Sequence, residues 1–140
     1  MKRVFLDTNI LLDFALGRER AEAAEKILAL GLLGSIEVCA SYLSFANMGY
    51  ILRHHSKDEI YSLIGLMREG ITVLPMDAVQ LDAGLELYAK DLEDALQYQC
   101  AKAANCAVIV TNNVKDYAEF CDMPFMNASE FLAEWDKSII

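Results

Sequence analysis

Apolar and polar positions fall into blocks that separate short strands from helices. Val4–Leu6 is a brief apolar run ended by Asp7, and a second apolar segment runs from about Ile10 to Leu16, closed by Gly17. Ala23, Ile27 and Leu30 recur at helical spacing, and Gly31 or Gly34 ends that helix. Ile36–Cys39 reads as a second strand. Ser41 is placed to cap a helix running to about His55; Leu43, Phe45, Met48, Ile51 and Leu52 make it apolar on nearly every side, which predicts extensive burial. Ser56-Lys57-Asp58-Glu59 has the pattern of a capping box. It opens a helix with Ile60, Leu63, Ile64 and Met67 on one face, stopped by Gly70.

Ile71–Leu74 is a third strand, ended by Pro75. Asp77 is placed to cap a helix with Leu81, Leu85 and Tyr88 on one side, and Asp91 to cap the next, which ends near Asn105. Ala107–Val110 is the fourth strand and Phe125-Met126 a fifth. Asn127 with Glu130 caps a last helix carrying Phe131, Leu132 and Trp135. Short strands separated by helices predict an α/β fold, a three-layer α/β/α sandwich around a mainly parallel sheet of about five strands. Right-handed crossovers place helices on both faces. With 140 residues, positions 1–140 form a single domain able to bury a real core.

Composition supports a globular chain, 55% hydrophobic with two prolines and no low-complexity tract or internal repeat. Lys2-Arg3 followed by apolar residues imitates a signal peptide. Asp7 and Asp13 interrupt that run, however, and no small-residue cleavage site follows in register. No stretch is long enough to span a bilayer. The expectation is a soluble cytoplasmic protein with no membrane partner. Cys39, Cys100, Cys106 and Cys121 form no CxxC pair and have no histidine at zinc-finger spacing, so they read as reduced, mostly buried small hydrophobes. His54 and His55 are adjacent and point to different helix faces, poor geometry for a shared metal.

Charge changes the picture more. The formal net charge is −9, with eight Lys/Arg against nine Asp/Glu in residues 1–70 and four against twelve in residues 71–140. This argues against tight nucleic-acid binding through phosphate neutralisation. It leaves room for a nuclease, because cations held among carboxylates invert the local field.

Those carboxylates have a natural meeting place. Parallel strands put all their carboxyl ends at one edge of the sheet, where ligands bind. Asp7 ends the first strand there, as a cation ligand or simply as the cap of the following helix. Asp94 falls three residues after the cap Asp91, a first-turn position that the helix dipole also favours. Val110-Thr111-Asn112-Asn113-Val114-Lys115-Asp116-Tyr117 ends the fourth strand with an asparagine turn, and Asp116 either joins the acids or starts a helical turn. Asn47 shares a helical face with Leu43, Tyr50 and Ile51, which predicts a buried amide in need of partners. Carboxylates crowded together repel unless a cation pairs them. Oxygen ligands without cysteine or histidine select Mg²⁺ or Mn²⁺ rather than zinc.

The run Val4-Phe5-Leu6-Asp7-Thr8-Asn9-Ile10-Leu11-Leu12-Asp13 resembles the opening motif of PIN domains, the fold of many bacterial toxin ribonucleases of the VapC type. The likeness continues through Ser44-Phe45-Ala46-Asn47-Met48-Gly49-Tyr50-Ile51-Leu52, then Leu92-Glu93-Asp94-Ala95-Leu96-Gln97, then Val110–Tyr117. All four blocks stand in family order. The resemblance implies that Asp7, Asp94 and Asp116 hold Mg²⁺ or Mn²⁺, with Thr8, Asn9, Thr111 and Asn113 as polar support. Glu93 adjoins Asp94 but is expected to point elsewhere on its helix. The resemblance further implies an RNA substrate, a cognate antitoxin and a homodimer. Arg53, Lys57 and Lys115 are candidate phosphate contacts.

Two departures remove negative charge. Most family members carry glutamate where this chain has Asn47, and many carry aspartate where it has Asn113. A subgroup of PIN-like proteins shares both asparagines, and Asp116 is placed to supply the missing charge. The asparagines also motivate a second reading, a PIN-like RNA- or protein-binding module with little catalysis. A third is a phosphatase of the haloacid-dehalogenase type, which needs an aspartate two residues after the first; Asn9 stands there.

Overall fold

The computed structural model describes residues 1–139. Its central sheet has five strands in the order β3-β2-β1-β4-β5, all parallel. They are β1 (Arg3–Leu6), β2 (Glu37–Ser41), β3 (Thr72–Leu74), β4 (Val108–Val110) and β5 (Phe125–Met126). The first strand is the middle one, with Phe5 opposite Cys39 on one side and Ile109 on the other. Among the described residues eight helices surround them: α1 (Thr8–Ala15), α2 (Ala21–Leu32), α3 (Tyr42–Ile51), α4 (Lys57–Gly70), α5 (Ala78–Leu87), α6 (Leu92–Ala103), α7 (Val114–Tyr117) and, after the last strand, α8 (Ala128–Ile139).

Two-residue alternation in the strands divides the interior into two cores. Val4, Leu6, Val38, Ala40, Val108 and Val110 face one side and pack with Ile10, Leu11, Ile27, Met48, Met67 and Phe131, from α1, α2, α3, α4 and α8. Phe5, Cys39, Leu74 and Ile109 face the other, against Tyr98, Cys100 and Ala101 of α6 and Tyr117 of α7. This is the expected three-layer sandwich. Each fully buried aliphatic or aromatic side chain contributes about 1.5–3 kcal/mol. No described helix is long and apolar enough to cross a membrane.

The caps read from the sequence are in place, although the box expected at Ser56 and Glu59 is one-sided, because the Glu59 carboxylate meets His55 instead. Asp7 accepts from Thr8 N at 2.8 Å, Ser41 from Ser44 N, Ser56 from Glu59 N and Asp91 from Asp94 N. Asp77 and Gln80 form a reciprocal capping box, as do Asn127 and Glu130. Because Asp7 caps it, α1 starts at Thr8, two residues before its first apolar residue. The cysteines are free, and Cys39, Cys100 and Cys106 are buried.

Two helices differ from expectation. α3 ends at Ile51 rather than His55, and only Ser44 and Met48 within it are buried; Tyr42, Tyr50 and Ile51 are exposed. A helix apolar on every side carries no sequence record of which side packs, and here only one does. α5 is inverted relative to its pattern. Leu81, Leu85 and Tyr88 face outward, and Gly84 is the buried position, so close to α6 that a Cβ there would lie 2.8 Å from Leu96 Cδ2. Close approach of the two helices through the smallest residue outweighed the apolar stripe.

Candidate metal centre

The carboxyl edge of the sheet gathers the ends of β1, β2 and β4 with the amino-termini of α1, α3 and α6. Those termini direct unpaired N–H groups and partial positive charge at the same place. Asp7 sits at the centre, 2% exposed. Its Oδ1 accepts from Thr8 N; its Oδ2 accepts from Thr111 Oγ1 at 2.8 Å, Tyr117 OH at 3.2 Å and Asn9 Nδ2 at 3.3 Å. Asn9 also accepts from Asn112 N at 3.1 Å, lacing the end of β1 to the end of β4.

Three other acids form a group that does not include Asp7, although the charge of Asp7 acts on Asp94. One oxygen each of Asp91, Asp94 and Asp116 lies within 4.8 Å of the others. Asp94 is buried and accepts from Asn113 Nδ2 at 3.4 Å, while Asn113 N donates to Thr111 Oγ1 at 3.0 Å. Asp91, read from the sequence only as a cap, belongs to the cluster as well. Its spacing of three from Asp94 on one helix was the available signal.

Electrostatics record the crowding. Burial pushes the Asp7 carboxyl up to about 6, against the opposing hydrogen bonds from Thr111, Thr8 and Tyr117. Burial, with the charges of Asp7 and Asp91, pushes Asp94 up to about 7. Burial and Asp7 hold the Tyr117 phenol well above its ordinary value, so it remains a donor. The donor set is all oxygen, converging and starved of positive charge, which fits a hard divalent cation and neither zinc nor copper.

Glu93 departs from expectation. Rather than pointing away, its Oε1 accepts from Asn47 Nδ2 at 2.9 Å and from Thr8 Oγ1 at 3.4 Å. The second residue of a helix and the third both reach the sheet edge here because α6 meets that edge by its amino-terminus rather than its side. Asn47 is half-buried, not enclosed, because its face of α3 opens toward that terminus.

Beneath Thr8 lies a polar chain that sequence reasoning missed. Gln97 and Ser44 are fully buried, as is Ser41. Gln97 Nε2 donates to Ser44 Oγ at 3.0 Å and Thr8 Oγ1 at 3.2 Å, and Ser41 Oγ donates to Gln97 Oε1 at 2.6 Å. Gln97 lies three residues after Asp94, on the same helix face, and that spacing was its signal. Asp13, also buried, accepts from Asn112 Nδ2 at 2.7 Å.

The basic candidates are not drawn in. Arg53 donates to Tyr50 O at 2.9 Å and lies over the Tyr50 ring at 4.0 Å, beyond the far end of α3. Lys57 is exposed in the first turn of α4, and Lys115 is exposed beside Asp116. No hydrogen bond or ion pair among the described residues joins any of the three to the acids.

Known proteins share this fold. Ribonuclease VapC1 of Aquifex aeolicus (strain VF5) is 25% identical over 141 residues, covering 96% of each chain. A chain in the structure of VapBC2 from Rickettsia felis, bound to a DNA fragment from the promoter, superposes with a TM-score of 0.72 at 19% identity, covering 89% of this chain and 98% of that one. A chain of VapBC-1 from nontypeable Haemophilus influenzae gives 0.71 at 18% identity, covering 91% and 98%. The family model described as PIN domain matches residues 3–115. With the opening motif, the acids behind β1 and β4 and the five-stranded parallel sheet all in place, the chain belongs to the PIN domain family.

Proposed function

We propose that this protein is a metal-dependent endoribonuclease, the toxin of a toxin–antitoxin pair, hydrolysing RNA phosphodiester bonds with Mg²⁺ or Mn²⁺. The observation that carries the reading is the convergence of Asp91, Asp94 and Asp116, with the charge of Asp7 acting on Asp94. Support comes also from the ribonuclease relative, aligned over nearly the whole chain, and from structural neighbours described as VapBC complexes. On this reading the protein acts in the cytoplasm, binds a cognate antitoxin and self-associates as a homodimer.

Asp94, Asp116 and Asp91 would hold the cation, and Asp7 would add its charge to the site. When bound, the ion supplies positive charge against a scissile phosphate and acidifies water. The chain's own residues do the positioning. Thr111, Tyr117 and Asn9 hold Asp7 Oδ2 in one orientation, and Asn113 turns Asp94 toward its neighbours. Lys115, exposed next to Asp116, is the basic candidate best placed to meet a phosphate.

The test is cleavage of a single-stranded RNA with Mn²⁺ by the purified protein and by Asp94→Asn. Activity that needs the metal and is lost in the variant is expected; equal activity in both overturns the reading. A protein that binds Mn²⁺ nowhere near these acids, or not at all, would instead be the binding module that Asn47 and Asn113 suggested.

A further inference from the structure

We propose that Glu93 is a further cation-holding carboxylate of this centre, and that Gln97 is a positioning residue that keeps it there by ordering the protons of Ser44 and Thr8. The inference rests on the metal-dependent reading above.

Glu93 is placed by three helices. Its own is α6; Asn47 reaches it from α3 and Thr8 from α1. Thr8 ties it to the buried acid, since the Thr8 main-chain N–H donates to Asp7 Oδ1 while the Thr8 hydroxyl donates to Glu93 Oε1. Both bonds to Glu93 fall on the same oxygen, and Oε2 has no hydrogen-bond partner among the described residues. An interhelical clasp with Asn47 needs only a neutral acceptor, which glutamine would provide. A carboxylate adds one more negative charge near Asp7, in a place where like charges already repel. The first turn of α6 favours an acid at this position, and a shared cation would draw that charge into the centre.

The proton order beneath Thr8 follows from donor counting. Ser44 N donates to Ser41 Oγ at 3.1 Å, so the Ser41 hydroxyl turns its own proton to Gln97 Oε1. That fixes the carboxamide with both Nε2 hydrogens spent, one on Thr8 and one on Ser44. The two hydroxyls lie 2.7 Å apart and share a single proton between them. If Ser44 supplies it, the Thr8 proton remains for Glu93. If Thr8 supplies it, the Ser44 proton turns back to Ser41 Oγ, 3.3 Å away, and Glu93 loses a donor. An ionised Glu93 selects the first order. The chain is sealed from solvent at Gln97, so water does not scramble it.

The experiment is calorimetric titration of the full-length, metal-free protein with Mn²⁺. Wild type is compared with Asp94→Asn, Glu93→Gln, Asn47→Ala, Gln97→Met and the Glu93→Gln/Gln97→Met double variant, each checked for folding by thermal melting. Glu93 is exposed, so Glu93→Gln should fold. It is expected to weaken Mn²⁺ binding roughly tenfold or more without lowering the metal-free melting temperature. Asn47→Ala should weaken binding by a few-fold. Gln97→Met should weaken it in the wild-type background and add nothing once Glu93 is glutamine, the coupling expected of residues acting as one unit.

Wild-type protein that does not bind Mn²⁺ overturns the ribonuclease reading and this inference together. Binding that is lost in Asp94→Asn but unchanged in Glu93→Gln overturns this inference and leaves the reading standing. Equal weakening by Gln97→Met in both backgrounds removes Gln97 from the proposal and reduces it to a structural residue.

Discussion

Thr111, at the end of β4, donates its hydroxyl proton across 2.8 Å to Asp7, at the end of β1, from 104 positions away in sequence. That bond, with those from Tyr117 and Thr8, holds a carboxylate in the interior where it would otherwise be neutral or displaced. Two segments far apart in the chain, Asp7-Thr8 and Thr111–Tyr117, thus close around one buried carboxylate.

Removing that carboxylate should abolish turnover while sparing the fold. Asp7→Asn keeps the shape and the Thr111 contact but deletes the charge. We expect RNA cleavage with Mn²⁺ to fall by roughly a hundredfold or more, the scale of losing a group that stabilises developing charge, with an unchanged circular-dichroism spectrum.

Stability without metal should run opposite to ordinary acid denaturation at these sites. The folded-state values of Asp7 and Asp94, about 6 and about 7, lie above their ordinary 3.8. The folded protein therefore binds more protons than the unfolded chain between pH 4 and 7. Their contribution is favourable below pH 4 and lost as pH rises through 6 and 7. Asp94→Asn should be more stable than wild type at pH 8 by on the order of 1–3 kcal/mol. The advantage should disappear near pH 4, as measured by urea melts in EDTA.

Saturating Mn²⁺ should reverse that loss. A ligand that binds only the folded state stabilises it by about 2.7 kcal/mol at a hundred times its dissociation constant. The melting temperature at pH 8 should rise on adding Mn²⁺ and return with EDTA, and Asp94→Asn should show neither change.

Two glycines in helices should respond with opposite severity. A Cβ on Gly31 would lie 2.7 Å from Val38 Cγ2, a short branched side chain locked in the core. Alanine gains up to about 1 kcal/mol of helix propensity at each position. At Gly31 that gain is outweighed, and Gly31→Ala should destabilise by about 1–3 kcal/mol. At Gly84 the obstacle is the far end of Leu96, which can rotate aside, so Gly84→Ala should fall near neutral. Denaturant midpoints of both variants check the contrast.

Gln97→Ala should cost about 2–4 kcal/mol in the same measurement. It leaves Ser41, Ser44 and Thr8 short of partners in a sealed interior and opens a small void.

Much of this was legible along the chain. The strands, the caps at Asp7, Ser41, Ser56, Asp77, Asp91 and Asn127, and the three-layer fold follow from local rules: apolar periodicity and hydrogen bonding over three or four residues. The gathering of acids at one edge follows from parallel strands alone. What the sequence could not state was direction. Nothing in α5 marks Leu81, Leu85 and Tyr88 as the outward side, because the deciding contact is Gly84 against Leu96 of another helix. Nothing in Leu92-Glu93-Asp94 reveals that Glu93 meets Asn47, or that Gln97 reaches Ser41, Ser44 and Thr8. Those pairings depend on how whole helices are rotated about their axes, and that rotation is settled only when every element packs at once. Local chemistry chose the elements and the edge; long-range packing chose which side chains face one another there.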